Sequence, residues 1–268
     1  MIAGRKTMRQ IVLLKDIPDL TEIKVDSETR APRVEGVKRR ISDLDKRALE
    51  AAIRLKEAAG GEILALSMGD DKTKTAMLEA LAMGADAAYV VDDPGFRGLD
   101  TNATSIVLEA AIRKIGGYDL IVSGEMTLDS LSSQVGPRLA ELLDLPQLTY
   151  IKEVSAGGGK VKAVRDLEDM DEVAEAALPA LITVVREINE PRIPSLMNIM
   201  KAKRKPQSVW TAQDLGLDPA GVQAMSHVKV LGVTVPKVER KQIRVEADTV
   251  GEAAAKLVEH LVGEGVIR

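Results

Sequence analysis

Apolar residues in this chain fall into short continuous runs that alternate with segments where they recur at every third or fourth position. The run IVLL at residues 11–14 has the pattern of a strand buried on both faces, and residues 62–67, 87–91, 120–123 and 179–185 repeat it. Between them lie predicted helices. Residues 42–56 carry Leu44, Ala48, Ala51, Ala52 and Leu55 on one face, with Ser42 as N-cap and Asp45 in the first turn. Residues 73–83 stop at Gly84, residues 101–115 end in a Gly-Gly pair, and residues 132–143 form a fourth helix. Such alternation predicts an α/β fold: a doubly wound, largely parallel sheet.

Residues 149–154 and 161–164 are extended segments around Gly157, Gly158 and Gly159, the pattern of a hairpin. The stretch GGGK at 157–160 is only superficially a phosphate loop, since no helical pattern follows it. Glu168, Asp169, Asp171 and Glu172 lack the spacing of a calcium loop and are expected in a solvated turn. After Glu190, Pro191, Pro194 and Pro206 exclude a long helix. The chain is predicted to end in an amphipathic helix within 245–262, capped by Thr249 and carrying Ala253, Leu257 and Leu261. It packs on its own domain or clasps a partner; the pattern fits both.

With 268 residues and 45% hydrophobic positions, the chain can build one sizeable core and an appendage. Its 37 basic and 41 acidic residues are well mixed, which gives no case for a nucleic-acid partner. The absence of cysteine excludes disulfides, thiolate chemistry and iron–sulfur ligation, and two histidines make a histidine metal site or a Ser-His-Asp triad unfavourable. No run reaches the length of a membrane span, and the basic start at residues 1–9 precedes too short an apolar run for a signal peptide; a cytoplasmic protein is expected. Redox chemistry would need a bound cofactor.

The segment GEMTLDSLSSQVGP at 124–137 follows a predicted strand and opens a helix. Ligands in open α/β sheets bind at the carboxyl ends of strands, where a helix N-terminus offers free N–H groups to a phosphate. Thr127, Ser130, Ser132, Ser133 and Gln134 add neutral polar groups. On residues alone, a hydroxyl-rich cap on a structural helix fits as well.

This segment resembles the nucleotide-binding loop of electron-transfer flavoprotein β subunits. GVK at 36–38 leading into SDLD at 42–45 resembles the family's turn beneath the adenosine, ALAMGAD at 80–86 its helix end, RDLE at 165–168 with Glu172 to PALIT at 179–183 its signature, and NEPR at 189–192 with NIMKAK at 198–203 its partner-contact region. The resemblance covers nearly the whole chain in order. Departures are Met170, where the family signature has a small or acidic residue, Ala174, where it has a larger aliphatic, and Glu125, often basic in relatives; Glu125 is expected to point away from a diphosphate or to pair with another base.

The resemblance implies an electron carrier subunit, not a stand-alone catalyst, that works with an α subunit and an acyl-CoA dehydrogenase-like or quinone reductase partner. Its implied cofactor is FAD, with AMP as the alternative, held by Leu13, Ser42, Asp43, Met68, Gly124, Thr127, Leu128, Asp129, Ser130, Ser133, Gln134 and Val135. The stretch FRGLDTNATS at 96–105 resembles one found in bifurcating, two-FAD β subunits, which adds Asp100, Thr101, Thr104 and Ser105; capping of a helix by Asp100 and Thr101 is the plainer reading. Leu196, with Met197 beside it, is implied as the anchor of a loop that meets the electron partner. The expected division is 1–190 for the nucleotide-binding domain, 191–206 for partner recognition and 207–268 for an extension that clasps the α subunit. The rival is a nucleotide-sensing or nucleotide-hydrolysing α/β protein with no redox role.

Overall fold

A computed structural model describes residues 7–237 and 240–267 of the chain. Residues 1–6, most of the basic start discussed above, lie outside the described residues. Two compact units are present, one of the chain up to Lys24 with Pro32–Val233, the other of Val25–Ala31 with the chain from Thr234.

The first unit is built on nine strands: β1 (Met8–Leu13), β2 (Gly61–Met68), β3 (Ala87–Val91), β4 (Leu120–Gly124), β5 (Gln147–Gly157), β6 (Lys160–Leu167), β7 (Met170–Ala177), β8 (Ala180–Val184) and β9 (Gln207–Trp210). They form one sheet in the order β7-β6-β5-β8-β4-β1-β2-β3-β9. All neighbours from β5 to β9 pair in parallel, and β6 and β7 add antiparallel to the β5 edge.

Side chains alternate across a strand, so a strand apolar at every position needs cover on both faces. In β1, Met8 and Val12 enter one core while Ile11 and Leu13 enter the other. Helices α1 (Asp43–Ala59), α2 (Asp71–Met83) and α5 (Leu196–Ala202) supply the first core; α3 (Thr101–Ile115), α4 (Val135–Leu142), α6 (Ala212–Leu215) and α7 (Pro219–Ala224) supply the second. This is the doubly wound, largely parallel sheet expected from the pattern.

Three expectations are corrected. The helix expected over 132–143 begins only at Val135, because Leu131 (φ 49°) and Ser133 (φ 52°) adopt left-handed backbone that no α-helix contains. Hydroxyl-rich segments compete with helix by bonding locally, as Thr127 and Ser130 do here at 3.0 Å. The acidic cluster is only half a turn: Asp171 and Glu172 begin β7 and pair across strands with Lys152 and Arg165. Finally, residues 207–210, expected in the C-terminal extension, are the edge strand β9, whose Trp210 ring packs on Tyr89 of β3 at 4.8 Å between centroids.

In the second unit, helix α8 (Val250–Gly263) is capped by Thr249, whose hydroxyl accepts from the N–H of Glu252. Arg30 and Val235 exchange backbone and side-chain bonds, the Nε of Arg30 donating to the Val235 carbonyl at 2.8 Å.

Candidate functional site

The sheet reverses its winding between β1 and β4. From β1 the chain crosses through α1 to β2 on one side, whereas β4, reached after α3, lies on the other. The two flanking connections leave in opposite directions, so a crevice opens at the carboxyl ends of these strands. Leu13 at the end of β1, Met68 at the end of β2, Ser42 and Asp43 at the start of α1, and the loop from Gly124 to Gln134 all lie on this edge.

The loop after β4 is held from both sides. Lys15, just past β1, donates to Asp129 at 2.7 Å, and the Thr127 hydroxyl donates to the other Asp129 oxygen at 2.7 Å. Burial raises the Asp129 carboxyl, but the Lys15 and Thr127 bonds outweigh it and hold the group below the usual carboxylate range. Leu128 is half-buried, and Ser130 and Gln134 are exposed. Ser133 at φ 52° is followed by right-handed Gln134 at φ −107°; alternation of that kind turns successive N–H groups toward one side, as anion-binding loops do. No side chain caps α4, which starts at Val135. Gly136 lets this helix start against β8, since a Cβ there would stand 2.7 Å from the Thr183 methyl.

Glu125 is buried and turned away from the crevice. Its carboxylate accepts from the Thr183 hydroxyl and, at 3.1 Å, from the N–H of Tyr150, a residue at φ 58° where β5 shifts register. Of the two alternatives expected for Glu125, pairing with a base is not seen among the described residues; its partners are a hydroxyl and an N–H.

The second segment starts α3. One Asp100 oxygen caps the helix through the N–H of Ala103 at 2.9 Å; the other accepts from His227 at 2.7 Å and Val228 at 3.1 Å. Burial opposes ionisation of Asp100, but these N–H groups prevail and keep its carboxyl below the ordinary value. The Ser105 hydroxyl is buried on the Thr101 carbonyl at 2.7 Å. Thr101 donates to Gln134 at 2.6 Å, which sets the α3 and α4 N-termini side by side, and Arg138 bridges Gln134 to Asn102. Thr104 is half-buried beside them.

These groups fit an adenine nucleotide. Two helices, α1 and α4, begin at the crevice with no side-chain cap. The Ser42, Ser67 and Ser123 hydroxyls are buried at the same edge with no partner, although buried polar groups are ordinarily paired. Uncapped N–H groups suit a diphosphate and a ribose can engage hydroxyls.

Leu196 and Met197, expected on a loop, are the first residues of helix α5, because Ser195 caps it by accepting from Asn198. Both are exposed, at 77% and 61%. Arg192 holds the approach to this helix against α1, donating to Glu50 at 2.8 Å and Glu57 at 2.7 Å. Sequence reasoning missed Lys15 and Arg138, which bond to Asp129 and Asn102 far along the chain, and gave no partner for Arg192. Asp45 was read as a first-turn residue and as the last of the SDLD stretch, and neither reading shows that it is buried at the switch point.

Residues 34–215 match the model of the electron transfer flavoprotein domain. The electron transfer flavoprotein subunit beta of Thermoanaerobacterium thermosaccharolyticum is 40% identical, over 97% of this chain and 100% of its own length. The caffeyl-CoA reductase-Etf complex subunit CarD of Acetobacterium woodii is 37% identical over 97% of this chain and 100% of its own. Protein FixA of Bradyrhizobium diazoefficiens is 34% identical over 95% of this chain and 90% of its own.

Proposed function

The chain belongs to the electron transfer flavoprotein family as a β subunit, and from that premise we propose that it holds FAD in the crevice at the β1–β4 switch point and serves electron bifurcation with an α subunit. The carrying observation is the edge itself: two helix N-termini without a side-chain cap, those of α1 and α4, lie at the carboxyl end of the sheet where the winding reverses. The likeness to CarD over nearly the full length supports the two-flavin form. A bound flavin would supply one- and two-electron chemistry. The chain's own part is to bind and orient: Ser133, Gln134 and Val135 offer backbone N–H groups to the diphosphate, while Thr101 and Thr104 offer hydroxyls beyond the adenosine. Leu196 and Met197 on α5 would anchor the dehydrogenase or reductase partner, and the segment with α8 would clasp the α subunit.

AMP is the second reading. Asp100 has both oxygens occupied by backbone N–H groups and Ser105 is turned into its own helix, which leaves fewer groups for an isoalloxazine ring. The deciding measurement is cofactor stoichiometry in the purified α–β complex. Two FAD per heterodimer are expected, with one lost in a Thr101→Phe variant. One FAD and one AMP would establish the second reading.

A further inference from the structure

Parallel strands β1 and β4 pair in register from Gln10 with Leu120 to Val12 with Val122, and then part. Beyond that point the Leu14 N–H turns to the Leu66 carbonyl of β2. Two N–H groups are left where the strands diverge, those of Lys15 and Gly124. Both end on a single carboxylate. Asp45, in the first turn of α1 and 4% exposed, takes Lys15 on one oxygen at 2.8 Å and Gly124 on the other at 3.2 Å. The close approach requires glycine at 124: a Cβ there would stand 2.6 Å from the Asp45 oxygen and 2.9 Å from the Leu44 Cβ.

We propose that Asp45 is the positioning residue of this site, its buried carboxylate tying the ends of β1 and β4 to the start of α1 and so setting where the loop 124–134 stands. The assignment rests on the adenine-nucleotide reading of the crevice. An ionised carboxylate accepts both N–H groups. Once protonated, its hydroxyl oxygen is a poorer acceptor and one of the two bonds loses its charge assistance. Burial pushes the Asp45 carboxyl up to about 7, against the pull of the Lys15 and Gly124 N–H groups and the Lys15 ammonium and with the help of Asp129. Lys15 and Asp129 are the charged groups facing it, and they pair with each other. On its own helix Asp43 is turned to Arg40 and Lys46 to Glu79. Nucleotide affinity therefore falls as pH drops through about 7.

The test uses the α–β complex, wild type, Asp45→Asn, Gly124→Ala and the double variant, with α-helical content followed by circular dichroism. FAD and AMP are titrated into complexes freed of nucleotide at the β site. FAD, whose diphosphate does not titrate between about pH 6 and 8, serves the pH arm. Wild type should bind FAD about tenfold more weakly at pH 6 than at pH 8, the scale of one charge-assisted hydrogen bond. Asp45→Asn should bind about tenfold more weakly at pH 8 and lose the pH difference. The double variant should be no weaker than the weaker single, because both changes break one contact. A wild-type affinity flat across this range overturns the assignment, even where a variant fails to fold, as do variants that bind like wild type at both pH values. A wild-type complex that takes up neither probe at the β site overturns the nucleotide reading, and the assignment with it.

Discussion

Two buried carboxylates at the site edge show how little a residue's type says about its role. Glu125 opens the nucleotide loop in the sequence, yet its side chain leaves the crevice and supports the irregular backbone of β5 at Tyr150. Asp45 looks like an ordinary first-turn acid, yet it sits at the switch point with its carboxyl raised to about 7. Raising a carboxyl above its unfolded value means that the folded chain binds a proton the unfolded chain has lost. The Asp45 contribution to stability is therefore fully present below about 3.8 and is lost as pH rises through about 7. Urea denaturation of wild type and Asp45→Asn at pH 5 and pH 8 checks this. The variant should show a smaller drop in stability between the two pH values, and an equal drop would remove Asp45 as the cause. Stability and cofactor affinity thus respond to pH in opposite senses.

At the scale of elements, the α3 and α5 starts are set by side-chain caps, and the α3 cap reaches beyond its helix. Asp100 caps α3 and, with its second oxygen, fastens the backbone at His227 and Val228. Asp100→Ala should lower stability by about 1–2 kcal/mol, the worth of an N-cap, as read from the denaturation midpoint. A change below a few tenths would mean that solvent satisfies these donors. Helix α5 presents Leu196 and Met197 to solvent while Ala202 enters the core and Arg192 fastens its approach to α1. An exposed Leu is ordinary by itself, and the partner role proposed for this pair rests on its exposure on a fastened short helix. Leu196→Ala should slow electron transfer to the partner about tenfold with normal flavin content. Loss of flavin would show that α5 supports the fold.

For the whole molecule, the second unit carries the helix proposed to meet the α subunit. Within the second unit α8 has no buried residue, and Leu257, Val258 and Val262 are about half exposed. Apolar area of this kind favours association at roughly 25 cal/mol per Å² before ordering costs. Truncation after Val235 should reduce co-purification with the α subunit while the remaining chain keeps its nucleotide. Full recovery of the α subunit with the truncated chain would assign α8 another role.

Much of this architecture was legible in the chain because its signals are local. A strand buried on both faces must be apolar throughout, and a helix on a sheet must repeat near every third or fourth residue, so the runs at 11–14, 87–91 and 120–123 and the helix at 101–115 are written in periodicity. The loop at 124–137 announced itself by glycine and hydroxyl content, and the family resemblance supplied its meaning. Tertiary structure decided what depends on partners distant in sequence. Four residues of β9 carry too little pattern to mark an edge strand, and only pairing with β3 makes them one. The left-handed backbone at Leu131 and Ser133, which shortens α4 and opens its N-terminus, is set by a loop held through Lys15, 114 residues away from Asp129. The burial of Asp45 follows from two strands parting above it, a circumstance that exists only once the winding of the sheet has reversed.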